Sequence, residues 1–427
     1  MASPQPGTEL ALPEDFLMGA ATSAHQVEGN NIASDWWALE NAPDTFVSAP
    51  SGDAADSYHR WPQDMDLLSE LGFNAYRFSI EWARIEPEAG RVSRAALAHY
   101  RAMVEGARAR GLTPVVTLHH FTSPRWFSER GGWRAPDAPD LFAEYTRTAL
   151  EVLGGPTRVA TVNEPNMLAL MYSLRRYAAE HGWSSLARGR AEGGAAFNPA
   201  LIAPDEVVTR TLIEAHHQAR SVLHEADARH QVGWTVANQV YQAEPGAEAA
   251  AAAYAWPRED LFLKEARADD WIGVQAYTRH LIGPDGPLPV PDGAPTTLTG
   301  WEVYPEALGE AIAHTVEVTG TGVPIVVTEN GIATADDTER IAYTRRALAS
   351  LAEQLRGGAD VRGYFHWSAL DNYEWGTFAP TFGLIGVDPT TFARTPKASA
   401  RWLGALAAAG RLPGAGSTSR PVPSAAR

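Results

Sequence analysis

VPIVVTE, residues 323–329, is an almost unbroken apolar run that ends on a carboxylate. Such runs suit parallel strands buried on both faces, where polar and apolar positions need not alternate. Downstream, 338–356 places Ile341, Leu348, Leu351 and Leu355 on one helical face, and Gly357 and Gly358 can stop the helix. Another strand-like run, VRGYFHWS at 361–368, follows. The upstream sequence shows the same alternation, with strand candidates at 16–21, 73–80, 113–119, 157–163, 231–238 and 270–277. Between the second and third, Ser93 can cap a helix over 93–110, Leu97, Tyr100 and Val104 share its face, and Gly111 can close it. Eight strands, each followed by a helix, predict an α/β fold: a single (β/α)8 TIM barrel. A doubly wound open sheet is the rival, but no Gly-rich phosphate turn follows an early strand.

The length of 427 residues would allow two or three average domains, yet barrels of this kind reach it as one. Residues 1–412 are expected to form the barrel, and 413–427, rich in turn formers, a disordered tail. A Pro/Gly-rich loop is expected at 283–295. Lys+Arg total 35 against Asp+Glu 51, and a net charge of −16 argues against nucleic acid and anionic membrane as partners. Cysteine is absent, which excludes disulfides, thiolate metal sites and cysteine nucleophiles. The N-terminal MASPQPGTELALPEDF lacks a basic region followed by an apolar stretch. No apolar run approaches the roughly 18 residues needed to span a bilayer. Both observations point to a cytoplasmic protein without a membrane segment. Trp numbers 14, a high count that must be placed somewhere.

Active sites of such barrels lie at the C-terminal ends of the strands. Those ends carry Gln26, Glu28, Glu81, Trp82, His119, His120, Asn163, Glu164, Gln275, Tyr277, Glu329, Asn330 and Trp367. Glu164 and Glu329 thus terminate different strands. Glycoside cleavage needs two carboxyl groups, one to protonate the leaving oxygen and one to attack or to activate water. Taken singly, Asn-Glu-Pro and Glu-Asn-Gly could also be plain turns.

Five segments occur together and in order: FLMGAATSAHQVEGN (16–30), GFNAYRFSIEWARIEP (72–87), TVNEPN (161–166), VTENG (327–331) and GYFHWSALDNYEW (363–375). With them the chain resembles glycoside hydrolase family 1, the β-glucosidase family, from Leu12 to about Lys397. The resemblance implies that Glu164 is the general acid/base and Glu329 the nucleophile of a retaining β-glycosidase, with β-D-glucosides as the expected substrates. It implies that Asn163 contacts the sugar 2-hydroxyl, and that Gln26, His120, Glu374 and Trp375 contact other sugar hydroxyls. Trp367 would form the aromatic floor, and Arg77 and Tyr277 would hold the nucleophile. No cofactor or metal is implied, and a small β-glycoside is the expected partner. A guanidinium and a phenol beside Glu329 should lower its pKa, while the charge of Glu329 should raise that of Glu164. A transglycosidase would use the same two carboxylates with an alcohol acceptor. A non-catalytic sugar-binding barrel is a further alternative, against which the presence of both carboxylates argues. A metal-dependent barrel hydrolase would lose activity with a chelator.

Three departures from the family pattern stand out. Gln275-Ala276-Tyr277 replaces the usual Asn-Tyr-Tyr, lengthening the amide by one methylene. After NYEW the chain reads GTFAPTFGL, a shorter loop in which Phe382 still aligns but Thr381 replaces an Arg. This loop borders the sugar 6-position, so glucose, galactose, fucose and xylose stay open, while the absence of a Ser-Lys-Tyr phosphate set argues against 6-phosphosugars. Finally, 172–200 lacks the Gly-rich lid motif and carries Arg175, Arg176, Arg188 and Arg190. These are either solvated helix charges or part of an aglycone site for a polar or anionic group. His216, His217 and His224, in a long helix over 205–228, read as packing rather than metal ligands because no converging pattern accompanies them. Glu81, inside SIEW, reads as a supporting carboxylate. The oligomeric state is not encoded in any of these features.

Overall fold

The computed structural model describes residues 9–43, 45–181 and 199–414. Eight parallel strands close into a barrel: β1 (Leu17–Ala21), β2 (Ala75–Ser79), β3 (Thr113–His119), β4 (Arg158–Asn163), β5 (Gln231–Ala237), β6 (Ile272–Gln275), β7 (Ile325–Asn330) and β8 (Val361–Trp367). Each strand pairs with its neighbours in sequence, and β8 returns to β1 with Gly363 opposite Leu17. Every expected strand is present. The expected 270–277 shortens most, to Ile272–Gln275, where the Gln275 carbonyl still accepts the Asn238 amide of β5's end at 2.7 Å.

Helices alternate with the strands: α1 (Ser57–Leu71), α2 (Arg94–Ala109), α3 (Ala138–Leu153), α4 (Pro165–Glu180), α5 (Glu206–Ala226), α6 (Glu248–Ala255), α7 (Ala307–Thr319), α8 (Asp337–Arg356) and α9 (Ala398–Ala409). The Ser93 hydroxyl accepts the Ala96 amide at 3.2 Å, so α2 starts where expected, and Leu97, Tyr100 and Val104 are buried on its inner face. In α8, Leu348 and Leu351 are buried, but Ile341 and Leu355 are only half-buried at the edges of the stripe. The stretch expected as a loop from 283 begins instead as a hairpin, His280–Gly283 with Gly286–Pro287, whose turn uses Gly286 at φ +122°. Leu10 and Leu412 pair antiparallel and bring the two ends of the described chain together. Of the expected tail, residues 415–427 lie outside the described residues. Among the described residues, no helix is long and apolar enough to cross a membrane.

Two apolar cores result. A small inner one fills the barrel with Leu17, Ala75, Val115, Ala160, Trp271, Val326, Phe365 and Trp367. A large outer one packs the strands against the helices. The inner space is tight: a Cβ on Gly233 would lie 2.0 Å from the Trp271 carbonyl oxygen. Trp82 anchors the outer core, stacked on Tyr145 at 4.8 Å and met edge-on by Trp126 and Phe142.

The ladder is irregular along β7, on both its β6 and its β8 side, and where β4 meets β5. Register shifts occur between Val327 and Glu329 on the β6 side of β7, and between Ala160 and Asn163 where β4 meets β5. Such irregularities re-aim side chains at a barrel rim, and these precede Glu329 and Glu164.

Trp82→Ala should cost about 3–5 kcal/mol through loss of a fully buried aromatic. The measurement is the thermal-unfolding midpoint, which should fall clearly below that of the parent.

Candidate active site

Arg77, on β2, points into the barrel and is fully buried. A guanidinium in that position requires partners for its N–H groups. Its Nη1 donates to Glu329 Oε1 at 2.6 Å and to the Thr328 carbonyl at 3.3 Å, its Nη2 to Asn163 Oδ1, and its Nε to Thr117 Oγ1 at 3.2 Å. Glu329 accepts two further donors. Gln275 Nε2 reaches Oε1 at 2.8 Å, and the Tyr277 hydroxyl reaches Oε2 at 2.6 Å. Gln275 Nε2 also donates to Asn163 Oδ1 at 2.9 Å. The extra methylene of Gln275 therefore does not break the contact with the carboxylate at β7.

Asn163 closes this network on β4, taking the Thr235 hydroxyl at 3.0 Å and placing its Nδ2 3.3 Å from His120 Nε2. The next residue, Glu164, sits at φ +46° just before α4, and its amide donates to the Thr235 carbonyl at 2.8 Å. Among the described residues, no donor meets its carboxyl group.

The two carboxylates are therefore unequal. Burial pushes Glu164 well above the usual carboxylate range, and the charge of Glu329 pushes it further. Burial also raises Glu329, against the opposing Arg77 charge and the Tyr277 and Arg77 hydrogen bonds. The expected net lowering of Glu329 is thus corrected: removal from water outweighs the donors. The order of the pair survives, because those donors all lie on Glu329, so the proton resides on Glu164.

A second group of residues forms the opposite wall. Gln26 Nε2 donates to the Tyr373 carbonyl at 2.8 Å, to Asn372 Oδ1 at 3.0 Å and to Glu374 Oε2 at 3.3 Å. Trp367 Nε1 donates to Glu374 Oε1 at 3.2 Å. Burial pushes the Glu374 carboxyl up to about 8. His120 lies nearly parallel to Trp367 at 5.8 Å and to Trp375 at 6.3 Å. His25 stacks on Trp375 at 5.8 Å, and Trp36 meets it edge-on at 4.9 Å. Phe382 is buried and joins through Tyr277, at 6.0 Å. All the expected site residues thus gather at the C-terminal mouth. His120 Nδ1 and Gln275 Oε1 are buried there without a hydrogen-bond partner among the described residues.

Several participants were not expected. Thr117 and Thr235 hold Arg77 and Asn163, and nothing distinguishes them in sequence from other strand threonines. Trp301 lies 5.7 Å from Tyr277 and 6.4 Å from Phe382 with its ring partly exposed. Its signal was the Trp-Glu pair after the Pro/Gly-rich stretch. Buried Arg340 donates to the carbonyls of Ile332, Thr334 and Thr381, tying the segment after Glu329 to the short loop before Phe382.

Other candidates resolve into support. His216 lies between Thr161 Oγ1 and Asp269, stacked on Trp234, while His217 pairs with Glu265 and His224 with Asp270. Arg176 pairs with Asp205 and Glu180; Arg188 and Arg190 lie outside the described residues. Glu81 is buried, accepting the Thr122 hydroxyl at 2.7 Å and the Ala83 amide at 3.2 Å, and burial pushes it up to about 8.

The family model described as glycosyl hydrolase family 1 matches residues 8–264 and 289–411. The chain is 30% identical to β-glucosidase A of Thermotoga maritima, covering 91% of this chain and 96% of that one. A crystal structure of a β-glycosidase matches with 43% identity and a TM-score of 0.84, over 96% of this chain and 99% of that chain. A Thermotoga maritima β-glucosidase in complex with glucoimidazole matches with 27% identity and a TM-score of 0.82, over 94% and 99%.

Glu81 supplies a pH test. Its folded pKa of about 8 lies above the ordinary 4.5, so the folded state binds the proton more tightly. The resulting stability is full below about 4.5 and is lost as the pH rises through about 8. Glu81→Gln, which mimics the protonated form, should melt with the parent at pH ~5 and above it at pH ~8.5. Thermal midpoints at the two pH values read this directly.

Proposed function

The chain belongs to glycosyl hydrolase family 1, and on that premise we propose that it is a retaining β-glycosidase that cleaves β-D-glucosides through a covalent glycosyl-enzyme. The observation that carries the reading is the asymmetry of the two carboxyl groups. Glu329 is held by Arg77, Gln275 and Tyr277, whereas Glu164 meets no donor among the described residues.

In the first step Glu164 gives its proton to the glycosidic oxygen as the bond from the anomeric carbon to that oxygen breaks. A carboxylate oxygen of Glu329 bonds to the same carbon from the opposite face. Esterification removes the negative charge that had raised Glu164, so Glu164, now ionised, becomes a competent base. It takes a proton from water as the water oxygen bonds to the anomeric carbon and the Glu329 ester bond breaks. Two inversions give net retention, for which a carboxyl separation of about 5–5.5 Å is expected. Transfer to an alcohol would follow the same path with the alcohol in place of water.

The walls suit a pyranose. Trp367 and Trp375 offer apolar faces to its C–H surface, and Gln26, Glu374 and His120 line up with its hydroxyl rim. Asn163 faces the 2-hydroxyl, a contact that strengthens in the transition state. The unpartnered His120 Nδ1 and Gln275 Oε1 support the reading, because buried polar atoms of this kind find partners in a bound polar ligand.

On an aryl β-glucoside, Glu329→Ala should lower kcat by at least about 10³-fold, and added azide should restore turnover with the inverted glycosyl azide. Glu164→Ala should keep rapid release of a good leaving group but lose about 10²–10⁴-fold in turnover, and azide should give the retained product. Near-normal activity of Glu329→Ala would sink the mechanism.

A further inference from the structure

α4 begins directly after Glu164 and carries two adjacent arginines in its second half. They are chemically identical and differently used. Arg176 is bound to Asp205 at 3.1 Å and lies 3.6 Å from Glu180. The exposed Arg175 has its guanidinium carbon 5.3 Å from the centre of the Trp36 ring, and among the described residues no carboxylate or carbonyl accepts its N–H groups. Its charge acts on Asp35, whose two oxygens are already taken by the Ser123 amide and the Ser128 hydroxyl, each at 2.9 Å. Burial raises the pKa of Asp35, with the Arg175 charge opposing.

The position of this cation matters. Trp36, beneath Arg175, meets Trp375 edge-on at 4.9 Å, and Trp375 lies parallel to His120. Arg175 is therefore one ring removed from the sugar-facing wall. It stands where the segments following β1, β3 and β4 meet, since Asp35 and Trp36 follow β1, Ser123 and Ser128 follow β3, and α4 follows β4. Along α4 it lies eleven residues from Glu164, about 16 Å between backbone positions at 1.5 Å per residue, a separation that the Glu164 and Arg175 side chains and an aryl group with a short charged arm would divide between them. A guanidinium backed by an indole face keeps its N–H edge free for a planar anion.

We propose that Arg175 is a specificity-determining residue of the leaving-group side, selecting β-glycosides whose aglycone carries an anionic group such as a carboxylate. The inference rests on the β-glycosidase reading above and deepens it.

The test compares two substrates, para-(carboxymethyl)phenyl and para-(carbamoylmethyl)phenyl β-D-glucoside. The methylene insulates the phenol oxygen from the terminal group, so the leaving groups are nearly matched and the probes differ mainly in charge. In the parent protein, the ratio of kcat/KM for the anionic over the neutral glucoside should be about fivefold at low salt, the scale of an exposed charge pair. The ratio should shrink as salt is added. Arg175→Gln should bring it to about one, and Arg175→Lys should retain part of it. A parent ratio at or below one, or a ratio unchanged in Arg175→Gln, overturns the proposal while leaving the glycosidase reading intact. If the parent cleaves neither glucoside, that reading falls and this inference with it.

Discussion

A single buried guanidinium organises the centre of this barrel. Arg77 sits on β2, fully out of water, and its acceptors come from β3, β4 and β7. A cation in such a place is tolerated only when paired and hydrogen-bonded, and removing one partner would leave an uncompensated charge. The requirement fixes the ends of four strands relative to one another. It also explains why the ladder shifts register before Glu329 and Asn163, since both side chains must turn toward the same guanidinium.

Charge at the mouth follows from that arrangement. Glu164, Glu329 and Glu374 all pay for removal from water, and Glu329 raises both of the others. Arg77 bonds only one of them. The carboxylate it bonds is therefore the one best able to stay ionised, and the other two hold their protons to higher pH. The difference in protonation between Glu164 and Glu329 is not a property of glutamate. It arises from which of them lies within reach of β2.

Much of this was legible in the sequence because the signals are local. Apolar runs and helical spacing locate the strands, and a strand end in a parallel barrel locates the mouth. Direction around the strand axis is harder to read. Trp82 and Trp367 both stand at a strand end, yet Trp82 turns outward into the helix layer while Trp367 turns into the site. The same limit applies to the fully buried Trp133, Trp234 and Trp271, which account for part of the large Trp count as packing. Thr117 and Thr235 were invisible because their role depends on strands that are distant in sequence. Arg175 and Arg176 are neighbours of one type, and only the fold separates the paired one from the other.

The backbone at Glu164 bears on its chemistry. A carboxylate at the start of a helix is favoured in its ionised form by the positive end of the helix, most of all where it accepts the first free amides. Here Pro165 occupies the first helical position, and Glu164 adopts the left-handed region at φ +46° with no side-chain cap bond to the amides that follow. That conformation costs about 1–3 kcal/mol for a residue other than glycine and persists only where surrounding contacts impose it. The contact that does so is its own amide, tied to the Thr235 carbonyl on the neighbouring β5. Thr235 also donates its hydroxyl to Asn163, so one residue holds the backbone of Glu164 and the side chain beside it. The carboxyl group, without a bond to the helix amides, meets burial and the like charge of Glu329, and both favour its protonated form.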